Sequence, residues 1–404
     1  VTASSPERRI AGAAAQSRTA TPSSRIFGNA VFFPLATAHG IVVAPASVLS
    51  MLGLVPTIPG LATPSAHARE LLFGFALAVV AGNQLGPRRR AVVMPLAALW
   101  LLARASWLWW PASPVALVSG AAFPLLLALA LAPRLLASAK KWRNQTLPVT
   151  LIAICGGAAL FAVLSVGPAA DRLAHIAPER LLAVAVALFA TLLLFMGGRY
   201  IAPAVAGQFY RQGQNLAARV QPRIESVLIV LAAVAVSALA LDGVRPDRAV
   251  RIAAGGALIL AGVLAAVRTV RWRLWALRGR PDLLCLAAGY AWLALGLAAF
   301  GAALALDAPQ AERTRAIHVI TVGSLGTLTL NVMAMTRLPH ARRPAWLRRL
   351  PVLATLLLAA ATLLRVFAEA IPDTRAALIA AAFCWSLAFA LLLALLMSAA
   401  RGDR

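Results

Sequence analysis

Histidines, arginines and carboxylates set within or at the ends of long apolar runs are the residues of this sequence that could do chemistry. His67, Arg69 and Glu70 open one such run. Arg104 lies inside the next, shortly before Trp110. His318 opens a later run, and Arg365 and Glu369 stand one helical turn apart near the end of another. An arginine near the centre of a membrane span costs about 2.5–3.5 kcal/mol on insertion scales. Each therefore needs a buried partner, a wet cavity or a route to the interface. Neutral imidazole is a ligand of haem iron and of copper, and two imidazoles on facing helices can form an axial pair. His67 and His318 are thus candidate metal and cofactor ligands. His39, within Thr37-Ala38-His39-Gly40, is a third, with a hydrogen bond to a neighbouring helix as its alternative.

The elements that must position these residues are membrane helices. Of the 404 residues, 61% are apolar and only 13% charged, against about half and a quarter in soluble domains. The mean hydropathy is +0.82, and the apolar runs are solid blocks rather than the alternating ten-residue segments of a barrel. The fold class is therefore all-α, a polytopic bundle of about twelve transmembrane helices whose partner is the lipid bilayer. The spans fall near 31–54, 66–85, 91–110, 115–133, 147–166, 179–197, 224–241, 249–267, 283–305, 316–336, 351–370 and 376–399. Residues 1–30 read as a polar tail without the apolar core of a signal peptide. Residues 31–399 read as one membrane domain, with six helices in 31–197, a connecting loop in 198–223 and six more in 224–399. In that loop, Ile201 to Tyr210 mixes apolar and polar residues and reads as lying flat on the membrane.

The net charge of +25 would suggest nucleic acid in a soluble protein. Here most of it falls on alternate loops, which places that side and both termini in the cytoplasm, and a nucleic-acid partner is not expected. Trp107, Trp109 and Trp110 read as an interfacial belt on the opposite side. In this frame His67, Arg69, Glu70, Arg104, His318, Arg365 and Glu369 share one depth in the outer half. They would form a polar pocket between spans 2, 3, 10 and 11, joined by Thr321 from the hydroxyl-rich span 10. The competing reading is snorkelling of residues near helix ends. The balance favours snorkelling for Arg69, Glu70 and Glu369, and buried partners for Arg104 and Arg365, which could pair with Glu70 and Glu369. His175 reads as a solvated loop residue, and His340 as surface among arginines.

Other signals are weaker. Cys155, Cys285 and Cys384 are far apart in apolar runs, without a CxxC, and read as small hydrophobes. Met333 and Met335 are thioethers suited to copper(I) but too few to define a site. No P-loop, GxSxG or HExxH motif is present. The best internal match pairs Arg69–Gly74 with His318–Gly323, and each is followed by a span carrying one arginine, Arg104 or Arg365. It relates span 2 to span 10, which a duplication of six spans would not give.

Four stretches carry a family resemblance: Phe32-Phe33-Pro34-Leu35-Ala36, His67 to Phe75, Gly197-Gly198-Arg199 with Ile201 and Pro203, and Ile317 to Leu330. The sequence resembles the NnrS family, integral membrane proteins of about twelve helices, over nearly the whole chain. That resemblance implies haem and copper as cofactors and a role in the response to nitric oxide, beside denitrification and nitrosative stress. The family pattern His-x-His-Glu in span 2 has Arg69 at its second histidine here. Ala287 and Ala288 stand before Gly289-Tyr290, where the family often has a histidine.

The function expected is that of an NnrS-like inner-membrane protein that handles nitric oxide or metal–nitrosyl species. Haem would sit near His67 and His318, and Arg104 and Arg365 would face carboxylates such as its propionates. A secondary transporter of a small solute and a non-catalytic assembly partner of a respiratory or denitrification enzyme remain alternatives. Oligomeric state and turnover stay open.

Overall fold

Twelve helices long and apolar enough to cross a membrane make up the computed structural model, which describes residues 25–166, 178–337 and 344–402. Residues 1–24 of the tail, His175 and His340 lie outside the described residues. The helices are α1 (Gly28–Met51), α2 (Pro64–Leu85), α3 (Arg90–Trp109), α4 (Pro114–Ser138), α5 (Trp142–Ser165) and α6 (Glu179–Arg211). Then come α7 (Ala217–Val244), α8 (Arg248–Arg271), α9 (Pro281–Ala305), α10 (Gln310–Arg337), α11 (Trp346–Val366) and α12 (Thr374–Ser398).

Local sequence fixes several ends. Thr63 and Ser113 accept hydrogen bonds from the amides of Ala66 and Ala116, each followed by a proline at the first helical position, and Asp247 caps α8 through the amide of Val250. These are the residue types that satisfy the free amides of a first turn. Gly86, at φ 60°, ends α2. Strand β1 (Arg25–Phe27) then pairs antiparallel with β2 (Pro87–Arg89) and ties the start of α1 to the end of α2.

Consecutive helices pack on one another, and α12 returns to pack on α1, which closes a ring. Within the ring α2, α6 and α10 are the most buried of the twelve helices, and each touches the other two. They are four helices apart in the chain. Each also carries one π-helical segment: Glu70–Ala76 in α2, Gly197–Ile201 in α6 and Val319–Gly326 in α10. The contacts α4 to α5, α8 to α9 and α12 to α1 repeat with the same period. The bundle is thus three four-helix units around a common centre. This explains the internal match, because spans 2 and 10 are eight apart. The matched residues Arg69 and His318 stand immediately before the two π segments.

Several boundaries differ from the sequence reading, and two of them extend helices that carry buried residues. The helix α6 does not stop at residue 197. It passes through the π segment and continues as Ala202–Arg211, with Val205 and Phe209 buried, so the first half of the connecting loop is helical. The helix α8 runs to Arg271 and takes Arg268 inside with it, 4% exposed.

The closest seam joins α8 to α9. A Cβ at Gly255 would lie 2.5 Å from the Gly301 carbonyl oxygen, and one at Gly262 would lie 2.6 Å from that of Ala294. Small residues let helix backbones approach in this way. Gly255→Val should therefore lower thermal stability in detergent, by about 1–3 kcal/mol for an overpacked seam. Gly256→Val, whose Cβ would meet nothing within 4 Å, is the matched control. Equal melting temperatures for the two variants would contradict the seam.

Candidate functional site

The seven ionisable residues expected at one depth separate into two groups and a rim. The first group is centred on Glu70, whose side chain is fully buried. Arg69 donates to its Oε1 from Nε at 3.1 Å and from Nη2 at 2.9 Å. Arg104 donates from Nη1 to Oε2 at 2.9 Å. His39 Nε2 lies 3.3 Å from the same Oε2. Arg69 also donates to the Gly60 carbonyl at 3.0 Å, and its guanidinium lies 4.1 Å from the centroid of the Trp107 ring.

Arg69 and Glu70 therefore do not snorkel. The segment Pro59–Leu61 folds over them, so closely that a Cβ on Gly60 would overlap the Trp107 backbone. Trp107 is buried beneath that segment and is not part of an interfacial belt, whereas Trp109 and Trp110 are exposed. Arg104 has the buried partner its position called for.

The π segment is what admits this group. A π turn displaces the normal hydrogen-bond ladder and leaves backbone carbonyls to be satisfied by side chains. Trp100 Nε1 donates to the Gly74 carbonyl at 3.1 Å, and His39 Nε2 lies 3.4 Å from that of Glu70. Gly74 supplies the space, since a Cβ there would stand 2.8 Å from His39 Nε2 and 3.1 Å from Arg104 Nη1. His39 thus sits with Glu70, one helical turn deeper along α2 than His67. Two arginines face one carboxylate, so the group carries a surplus positive charge when His39 is neutral.

The second group is His67, His318 and Arg365, electrostatic neighbours contributed by α2, α10 and α11. Both imidazoles are half-buried, and both are held through Nδ1. His318 Nδ1 is 2.7 Å from the Thr314 carbonyl oxygen, which can only accept, so Nδ1 carries the proton. His67 Nδ1 is 2.6 Å from Ser47 Oγ. Ser47 Oγ also lies 2.8 Å from the Ala44 carbonyl oxygen, and when its hydroxyl hydrogen goes there it accepts from His67. With Nδ1 protonated, each neutral ring has an unprotonated Nε2, and among the described residues neither Nε2 has a hydrogen-bond partner. This is the state in which histidine binds a metal, its other nitrogen fixed by an outer acceptor.

Arg365 makes no ion pair among the described residues. Its expected partner Glu369 is one helical turn on only if the helix continues, and α11 ends at Val366. Glu369 lies in a separate 3-10 turn, Ala368–Ala370, exposed at the rim, 3.7 Å from Arg315. Glu369 therefore remains an electrostatic neighbour of Arg365, without the direct ion pair that the spacing suggested. Thr321 bonds back to the Ile317 carbonyl at 3.0 Å, within its own helix.

These residues fit a haem better than a copper ion. Two imidazoles held through Nδ1 beside an arginine are residue types that can hold an iron porphyrin with carboxylate tails. Copper has no donor set to match, since among the described residues no three His, Cys, Asp or Glu side chains converge. His39 is occupied by Glu70. Met333 is buried in the main apolar core, with Met335 packed against it.

Sequence reasoning missed Ser47, Trp100 and the buried group around Arg268. Arg268 Nη1 lies 3.3 Å from the Leu194 carbonyl oxygen and 3.5 Å from the Tyr290 hydroxyl, just before the π segment of α6. The signal available was Gly197-Gly198, because a Cβ at either would overlap Tyr290 or Arg268.

Compared with protein-family models, the chain is matched over residues 28–404 by the one described as NnrS protein. Among curated proteins none matches significantly.

Proposed function

Since the chain belongs to the NnrS family over nearly its whole length, we propose that this multi-pass membrane protein serves the nitric oxide response in the bacterial cytoplasmic membrane. We further propose that His67 and His318 hold a haem in its outer half. The observation that carries the haem reading is the paired state of the two imidazoles: each is held through Nδ1, beside the guanidinium of Arg365. The chemistry such a group supplies is one-electron redox change and coordination of nitric oxide at iron.

The chain's own residues have distinct tasks around it. Ser47 and the Thr314 carbonyl lock the tautomer and plane of each ring, which raises ligand basicity and fixes orientation. Arg365 offers a guanidinium fork to a carboxylate. The Glu70 group, one helical turn below His67, anchors α2 so that the imidazole cannot withdraw. Copper is left out of the proposal, because among the described residues no three donor side chains converge.

The test is the absorption spectrum of the protein purified in mild detergent from haem-replete cells, oxidised and reduced, with iron measured on the same sample. A Soret band with stoichiometric iron is expected, and it should shift on addition of nitric oxide. A folded, colourless, iron-free protein would overturn the haem reading and bring forward a transporter or an assembly partner.

A further inference from the structure

The three π segments meet at one cavity. It lies where α2, α6 and α10 converge, nearer the arginine-rich face than the histidine pair, is partly open, and has a volume of about 70 Å³. Ala76 closes the π segment of α2, Leu325 belongs to that of α10, and Gly197 and Ile201 belong to that of α6. All four line the space. A π turn is wider than an α turn, and three at one level keep the central helices from closing on each other.

The remaining wall is mainly valine, leucine and phenylalanine, with Thr329 among them and Asn83, Gln84 and Tyr200 at the end nearer the arginine-rich face. No charged side chain lines it. Tyr200 donates to Asn83 Oδ1 at 3.1 Å. Beyond Gln84, Met196 and Tyr200 lies a second, more polar space of about 250 Å³, where Arg199 is bonded to Asn144. The cationic side chain at this entrance is thus held outside the chamber.

We infer that the central chamber is a binding site for a small, uncharged, apolar molecule of diatomic size. An ion would lose its hydration there without a compensating partner. Water has little to bond to on the valine, leucine and phenylalanine part of the wall, and apolar cavities take up xenon or small hydrocarbons. The volume exceeds the share of one liquid water, about 30 Å³, and is too small for a lipid chain or a peptide. The inference needs no haem and rests on the chamber alone. If the haem reading also holds, the π segments of α2 and α10 connect the chamber to the helices bearing His67 and His318, and a neutral gas would have a holding site among the same central helices.

The probe is xenon, located by anomalous scattering in crystals of the full-length protein under xenon pressure. Xenon density between Ala76, Leu193 and Leu328 is expected in the wild type. Ala76→Leu should abolish it by filling the space, and Leu193→Ala should increase it by enlarging the space. If Ala76→Leu does not fold, the Leu193→Ala crystal decides alone: greater occupancy in the chamber supports the site, and unchanged or absent density overturns it. Xenon found only at the lipid-facing surface also overturns it. Each crystal's absorption spectrum reports the histidine pair separately, so failure of the chamber and failure of the haem reading are distinguishable.

Discussion

Glu70→Ala is expected to destabilise the protein by about 3–5 kcal/mol, the usual cost of removing one partner from a buried ion pair. The reason is arithmetic of charge in a dry place. Glu70 is fully buried and is the acid that Arg69 and Arg104 both bond. Its loss leaves two guanidinium groups unpaired among apolar side chains, and neither can reach water without undoing the Gly60 contact or the Trp107 stack. Glu70→Gln keeps the shape but not the charge and should fall between wild type and alanine. Adding Arg104→Met to Glu70→Gln should recover part of the loss, because it removes the cation left without a partner. Glu312→Ala is the surface control: its pair with Arg315 at 3.8 Å is exposed, and such pairs contribute about 0–1 kcal/mol. Thermal unfolding in one detergent measures all four variants. If Glu70→Ala and Glu312→Ala melt together, the Glu70 group is a wet pocket and not a buried network.

The bundle itself was legible because hydrophobic length is a one-dimensional property. Twelve apolar runs, the basic loops between them and the cost of an arginine in lipid are all read without knowing what touches what. The charged residues were legible as a set for the same reason. Their pairing was not. His39 reaches Glu70 from another helix, and the segment at Gly60 that seals Arg69 carries no signature beyond a proline and a glycine. Arg365 and Glu369 have the spacing of a helical pair, and only the helix end at Val366 separates them. Arg268 read as a loop charge because a helix end cannot be placed to within a turn from composition.

The three-unit architecture left a trace in the sequence that the structure makes interpretable. Arg104 on α3 and Arg365 on α11 occupy corresponding places, each on the helix after a π-bearing central helix. In the first unit the arginine meets Glu70. In the third unit the residue matching Glu70 is Val319, and Arg365 faces two histidines instead. One unit closes its charge in a buried ion pair, and in the other Arg365 makes no direct ion pair among the described residues. The same comparison sets Met196, immediately before the π segment of α6, against Arg69 and His318. The three units have thus diverged at this position, to Arg69, Met196 and His318.

That divergence makes the histidine variants decisive. His318→Ala is expected to remove the Soret band from the purified protein, and His67→Ala to remove or shift it, because each deletes one of two ligands. Imidazole added to His318→Ala should restore part of the band by occupying the vacated position, an effect that a merely misfolded variant would not show. Ser47→Ala leaves His67 in place but frees its Nδ1, and loss of such an outer partner typically weakens metal binding about 10–100-fold. Arg365→Ala should weaken haem retention, while Arg365→Lys, which keeps the charge without the fork, should retain more. Arg365→Glu, placing an acid where the ligand's carboxylate would lie, should retain least. His39→Ala should leave the Soret position unchanged and lower the melting temperature, since His39 bonds Glu70. Haem titration followed at the Soret maximum ranks these variants. Equal haem content in His318→Ala and wild type would remove His318 from the site, and a loss in His39→Ala matching that in His318→Ala would move the ligand pair one turn deeper, to the Glu70 group.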